Sequence, residues 1–315
     1  MNVTIMGSGG IGGCIGGRLA ASGANVLFLA RGAHLEALQT RGLKLTSALG
    51  DLNLPSVRAL ASAHGEPSAD FVIFTVKGPE TVAAAELMAP VVGPNTAIIT
   101  FQNGVEGVDI LQARFGKDAV LPGVTYIGAL VEAPGHIRQI GSVNRSLFGE
   151  TDGGQSTRGR TFSDMANSAG LDMRFVDNIS EELWGKFAML GPFSSIACLT
   201  RLPVGTWAST PETLELFLEG MREVIALARL KGVNLDESRL ILRSTEFVKK
   251  LEPTWKGSML TDLERGKAIE VGSLAGYVHR TGKALGVATP FHSTAYRALC
   301  YHARHNLMPS NSPQS

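Results

Sequence analysis

Over the first half of the chain, apolar residues gather in short unbroken runs, and over the second half they recur with a helical period. Residues 2–6, 25–29, 70–76 and 96–101 are apolar nearly throughout, as strands buried on both faces of a parallel sheet are. Between them Ile15, Leu19 and Ala20, then residues 33–40, then residues 81–88 ahead of Pro90, follow helical spacing. This alternation predicts an α/β layer built from βαβ units. Residues 43–57 alternate irregularly, like short strands or a crossover. Residues 119–129, 135–141 and 145–149 predict short antiparallel strands joined by turns. A helix up to Ala169 with Gly170 as its cap and a last strand at 173–176 complete this part, which should end near Asp177.

Beyond Asp177 the pattern predicts helices alone. Asn178 followed by Glu181 resembles a capping box opening a helix over 179–190, with Pro192 expected to kink or break it. Thr210-Pro211 opens a second helix, whose stripe is Leu214, Phe217, Leu218, Met221, Val224, Ile225 and Ala228. A third is expected from about Asp236 to Leu251, stopped by Pro253, and a fourth as one continuous helix from about Ser258 to Leu285. The tail 309–315 is expected to be disordered. The domains are therefore read as 1–177 and 178–315.

The first strand runs straight into Gly7-Ser-Gly-Gly-Ile-Gly12, a G-x-G-x-x-G turn with a strand before it and a helix after it. Gly7 suits the tight turn, Gly9 the approach of a pyrophosphate, and Gly12 close packing of helix on strand, with the phosphates on the open N–H groups of the helix N-terminus. Gly7, Ser8, Gly9, Gly10, Ile11 and Gly12 are thus the cofactor-binding candidates. The fold class is α/β, a Rossmann-type dinucleotide-binding domain followed by an all-helical domain. The second strand ends in Ala30-Arg31-Gly32, without the carboxylate that would hold a ribose 2′-hydroxyl. A guanidinium there suits a 2′-phosphate, which favours NADP over NAD, with His34 as a candidate helper. The plain alternative is a solvated arginine opening the next helix. Lys77 and Asn103 close the strands at 70–76 and 96–101, at the carboxyl edge where ligands of open parallel sheets bind.

With 315 residues, 44% of them hydrophobic and 18% charged, the chain can bury two sizeable cores. A net charge of +1 without a basic run gives no nucleic-acid stripe or membrane-surface patch. No apolar run approaches a membrane span and the first residues form a strand, so the cytoplasm is the expected compartment. Cys14, Cys198 and Cys300 lack metal or disulfide spacing and are read as packing residues, with no metal site expected.

Glu182-Leu-Trp-Gly-Lys186 and Gly257-Ser-Met-Leu-Thr-Asp-Leu-Glu-Arg-Gly-Lys-Ala-Ile-Glu270 closely resemble the ketopantoate reductase (2-dehydropantoate 2-reductase) family. The resemblance spans nearly the whole chain, including the glycine turn, Arg31, Thr-Val-Lys77 and Gln-Asn-Gly104. It implies NADPH-dependent reduction of a 2-keto acid in pantothenate synthesis. Lys186 would be the general acid. Asn103 and Lys77 would line the nicotinamide site, Glu270 and Ala129 would join the cofactor set, and Ser258 would bind substrate beside Asn103, Lys186, Leu190 and Ser194. Leu190, Ser194 and Val204 stand where well-studied members carry asparagines, so the substrate could be a more apolar 2-keto acid handled by a related two-domain dehydrogenase. A non-catalytic NADP-binding sensor is a third reading, against which the presence of Lys77, Asn103, Lys186 and Glu270 weighs. Oligomeric state is not legible, a homodimer being one option.

Overall fold

The computed structural model describes residues 1–304; the tail at 309–315 lies outside them. The chain forms two compact units, Met1–Gln102 with Gly107–Glu182, and Asn103–Glu106 with the chain from Leu183 onward.

In chain order, the first unit runs β1 (Asn2–Met6), α1 (Gly10–Ala21), β2 (Asn25–Leu29), α2 (Gly32–Arg41), β3 (Leu43–Thr46), β4 (Leu52–Leu54), β5 (Arg58–Leu60), β6 (Phe71–Phe74) and α3 (Thr81–Met88). It continues through β7 (Ala97–Thr100), α4 (Glu106–Phe115), β8 (Val120–Thr125), β9 (Gly128–Ala133), β10 (His136–Ile140), β11 (Arg145–Phe148), α5 (Thr157–Ser168) and β12 (Asp172–Phe175). The main sheet has the order β12-β11-β8-β7-β6-β1-β2-β5. Its central strands are parallel, while β11 pairs antiparallel with β8 and parallel with β12. Three of the four strands read as antiparallel from the sequence therefore also have parallel neighbours, β8 on β7, β10 on β3 and β11 on β12. Their partners lie far away in sequence, where local alternation carries no directional signal.

Alternate residues of β6 and β7 feed two cores, as a sheet covered on both faces requires. Phe71, Ile73, Ala97 and Ile99 pack with Ile15, Leu19, Leu38 and Phe162. Val72, Phe74 and Ile98 pack with Ala84, Ala85, Met88 and Leu111. A second sheet, β4-β3-β10-β9, lies against α1. Here the glycines of α1 do more than turn. A Cβ at Gly10 would stand 2.2 Å from the carbonyl oxygen of Ala129, one at Gly13 2.7 Å from Ile137, and one at Gly17 2.9 Å from Leu43. On the opposite face, Gly12 and Gly16 meet β1 and β2 in the same way, through Ile5 and Phe28. The helix is thus held between two sheets by glycines at helical spacing on both faces. A buried network ties it further: Arg18 donates to Ser47 Oγ (2.9 Å), and Ser47 to Gln139 Oε1 (2.8 Å). Cys14 lies fully buried beside them, and burial pushes its thiol above the usual range.

In the second unit, α6 (Ile179–Thr200) is followed by α7 (Val204–Trp207), α8 (Pro211–Leu230), α9 (Glu237–Lys250), α10 (Gly257–Glu264), α11 (Ala275–Leu285) and α12 (Pro290–Arg304). Pro192 lies inside α6 without ending it. Its ring packs at Gly220 of α8 next to Phe291, and that burial offsets the one helical hydrogen bond a proline removes. The continuous helix expected over 258–285 is instead broken. Gly266, at φ +65°, turns the chain out of α10, and a short 3-10 turn (Glu270–Gly272) precedes α11. A distance between Ser258 and Glu270 computed for one straight helix therefore does not apply. Helix α12, unforeseen, starts at a proline with Glu223 capping it: the carboxylate accepts from the N–H groups of Phe291 (2.7 Å) and His292 (3.1 Å). Among the described residues, no helix is long and apolar enough to cross a membrane.

Candidate active site

At the carboxyl end of β1, Gly7 adopts φ +98°, and a Cβ there would meet the Val76 backbone nitrogen at 2.7 Å. Gly12 sits so close that its Cβ would stand 2.2 Å from the Gly7 carbonyl oxygen, whereas a Cβ at Gly9 would meet nothing within 4 Å. Two glycines are therefore needed for packing, and the one between them leaves open space in front of the first turn of α1. Such a cradle fits a dinucleotide pyrophosphate on backbone N–H groups. Gly10 and Ile11 begin α1, and Ala129 holds the turn from the other side through Gly10. Ser8 turns inward, its Oγ donating to the Leu29 carbonyl at 2.9 Å, so its hydroxyl braces β2.

His34 has a different part from the one its position suggests. Its Nδ1 accepts from the Gly135 N–H (3.1 Å), which leaves Nε2–H to donate to the Ser8 carbonyl (2.8 Å). Burial also pushes its pKa below the usual value. A neutral imidazole with both nitrogens engaged braces the glycine turn and does not serve as a cationic helper for a phosphate. Arg31, the residue before α2, is exposed and bonded to Glu80 at 2.6 Å. Glu80 follows β6 and stands 49 positions from Arg31 in sequence, which is why reading the end of β2 alone missed it. Lys77 is exposed at the end of β6. Gln102, at the end of β7, donates to the Val76 carbonyl (2.9 Å) and to Thr81 Oγ1 (2.8 Å), fixing the loop that follows it.

The second unit holds the charged centre. Lys186 is half-buried on α6, and its Nζ donates to Asn103 Oδ1 at 3.2 Å, joining residues 83 positions apart. Burial pushes the Lys186 pKa down to about 8, while the negative charge of Glu270 pulls it upward. Asn103 is placed by Gly104, at φ +80°, where a Cβ would come 3.2 Å from Leu274, 3.3 Å from the Ser273 carbonyl and 3.7 Å from Phe187. Gly104 thus seats its loop on the chain just after Glu270 and on the neighbour of Lys186. Arg280 adds a strap, bonded to Glu106 and to the Gly272 carbonyl (3.1 Å). Lys186, Asn103 and Glu270 are brought together; neither the seating of the loop by Gly104 nor the Arg280 strap was foreseen.

The other substrate candidates are placed less uniformly. Leu190, half-buried, and Ser194, buried, follow Lys186 by one and two turns on the same side of α6. Ser258 is exposed in the first turn of α10. Val204 is fully buried in a core with Phe193, Ile196 and Trp207, its N–H bonded to the Trp255 carbonyl at 2.8 Å.

A parallel-sheet dinucleotide-binding unit followed by a helical unit with a desolvated lysine defines a class of nicotinamide-dependent reductases. Comparison with known proteins is more specific. The model of the ketopantoate reductase PanE/ApbA matches residues 3–153, and that of its C terminal region matches residues 178–301. The 2-dehydropantoate 2-reductase of Mesorhizobium japonicum is 32% identical over 313 residues, covering 92% of this chain and 94% of that protein. The crystal structure of 2-dehydropantoate 2-reductase from Geobacter metallireducens superposes with a TM-score of 0.87 at 27% identity, covering 96% of this chain and 99% of the other. A D-mandelate dehydrogenase solved with NADH and anilino(oxo)acetate shares the fold, with a TM-score of 0.87 at 20% identity over 96% and 99% of the two chains. The chain belongs to the ketopantoate reductase family, oxidoreductases that use pyridine nucleotides to reduce small keto acids.

Proposed function

We propose that the protein reduces a 2-keto acid to the 2-hydroxy acid with NADPH, and that the substrate is 2-dehydropantoate, giving pantoate for pantothenate synthesis. The observation that carries the reading is the Lys186 ammonium, half-buried, oriented by Asn103 and tuned to about 8. A dinucleotide bound with its phosphates on the glycine turn would supply the hydride from its nicotinamide. Hydride arrival at C2 turns the keto oxygen into an alkoxide, which needs both a positive charge and a proton. Of the three N–H donors on Lys186, one goes to Asn103 Oδ1, which orients the ammonium that would meet the substrate oxygen. Proton transfer from Nζ to that oxygen completes the alcohol and leaves a neutral amine. A pKa near the working pH makes both the loss and the recovery of that proton easy. Glu270 keeps the ammonium charged against the burial that would discharge it.

The test is NADPH absorbance followed with ketopantoate and with a panel of other 2-keto acids. Turnover led by ketopantoate supports the proposal. Turnover led by a wholly apolar 2-keto acid favours the alternative substrate, which Leu190 beside Lys186 supports. Failure with every keto acid leaves the sensor reading, against which the gathering of Lys186, Asn103 and Glu270 argues.

NADPH is favoured over NADH because Arg31 leaves the end of β2 where a ribose 2′-phosphate would lie. Arg31→Ala is expected to weaken NADPH binding by roughly ten- to a hundredfold, the loss of one charge-assisted contact, and NADH binding far less. Titration of both nucleotides by fluorescence checks this; equal losses would remove Arg31 from cofactor choice.

A further inference from the structure

Strand β1 lies between β2 and β6, with Met6 in register with Leu29 on one side and Phe74 on the other. The chain leaving β2 carries Arg31 and the chain leaving β6 carries Glu80. The two side chains meet at 2.6 Å across the carboxyl end of β1, where the glycine turn begins. They are 66% and 50% exposed, so this pair is open to solvent and adds little to folding stability. Its place is what matters. A dinucleotide laid on the N-terminus of α1 directs its adenosine ribose towards the end of β2, so whatever Arg31 can reach there, Glu80 faces too.

Resting on the dinucleotide reading above, we propose that Glu80 is a specificity-determining residue of the ribose subsite, opposing Arg31 and admitting a 2′-hydroxyl nucleotide alongside a 2′-phosphate one. The two nucleotides make opposite demands. A 2′-phosphate must draw Arg31 away from Glu80 and then sit near a carboxylate while carrying close to two negative charges of its own. A 2′-hydroxyl donates a hydrogen bond to Glu80 while Arg31 stays paired, which is how an acidic side chain holds NAD in such folds. Here the carboxylate arrives from the strand on the other side of β1 rather than from the end of β2. Repulsion between a phosphate and an exposed carboxylate a few ångströms away corresponds to about a tenfold loss of affinity. The site should therefore bind NADPH less tightly than Arg31 alone would allow, and NADH better.

Fluorescence titration of the whole protein and its Glu80→Gln and Glu80→Ala variants with NADPH, NADH and 2′,5′-ADP tests this, with thermal melting as a control on folding. Glu80→Gln is expected to tighten NADPH and 2′,5′-ADP by about tenfold and to loosen NADH several-fold, with the melting temperature unchanged. Glu80→Ala should move the NADPH to NADH ratio the same way. A ratio that stays within twofold of the parent in both variants overturns the role of Glu80 while leaving the dinucleotide site in place. Binding of neither nucleotide at millimolar concentration overturns the dinucleotide reading, and Glu80's role with it.

Discussion

Lys186→Ala is expected to lower kcat by roughly 10²–10⁴-fold while leaving NADPH affinity nearly intact. The cradle that would bind the phosphates is made of backbone N–H groups at the start of α1, which a side-chain substitution at Lys186 leaves chemically unchanged. What disappears is the proton and the charge at the developing alkoxide, both transition-state contributions, so kcat and kcat/KM should fall together. The parent enzyme gives an independent check through pH. Burial lowers the Lys186 pKa to about 8, so the ammonium is present below that value and is lost as pH rises through it. The reduction rate should therefore decline above about pH 8, and this limb should vanish in the alanine variant. Near-normal turnover in the variant, or an unchanged alkaline limb, would remove Lys186 from the chemistry.

The first unit was largely legible because its signals are local. Unbroken apolar runs gave the buried strands, and Gly7, Gly9 and Gly12 gave the turn. Gly10, Gly13 and Gly17 are local too, but Gly10 is read there only for the cofactor, and Gly13 and Gly17 are given no part of their own. Their spacing of three and four along a helix is the mark of a face that something approaches closely, and the second sheet is what approaches it. Glu80 could not be read in the same way, because the end of β2 specifies only its own residues. Its meeting with Arg31 depends on β6 lying beside β1.

In the second unit, periodicity placed α8 and α9 well, with Thr210 and Asp236 at their starts. It overran at Gly266, where apolar spacing continues across a positive φ that ends the helix. It stopped short at Pro192, where packing on Gly220 outweighs a local propensity. The proposed catalytic group came from motif resemblance, since a lysine on an amphipathic helix carries no mark of its function. Only tertiary structure shows its desolvation, and only the Gly104 turn explains how Asn103 reaches it.

The substrate preference should be decided along the side of α6 that carries Lys186. Leu190 follows it by one turn and Ser194 by two, and Val204 belongs to the core, so of the three positions read for the substrate Leu190 is the apolar one left on this side. A substrate hydroxyl facing Leu190 without a partner loses about 1–3 kcal/mol, which corresponds to a roughly 5- to 150-fold loss in kcat/KM. Ser194 and Ser258 are the hydroxyls that could replace the absent asparagines. Ser194 is buried on the Lys186 side of α6 and Ser258 is exposed on α10, so Ser194 is the better placed of the two. Ketopantoate and 2-keto-3-methylbutanoate differ by the terminal hydroxymethyl group, and their kcat/KM ratio reads the question directly. If Ser194 supplies the partner, ketopantoate leads by tenfold or more and Ser194→Ala abolishes most of that lead. If Leu190 governs, the two substrates are reduced with similar efficiency or the apolar one is favoured, and Leu190→Asn should raise the ketopantoate ratio by about tenfold. A strong preference for ketopantoate that survives Ser194→Ala would exclude Ser194 as the partner and place the hydroxyl's donor or acceptor on another element.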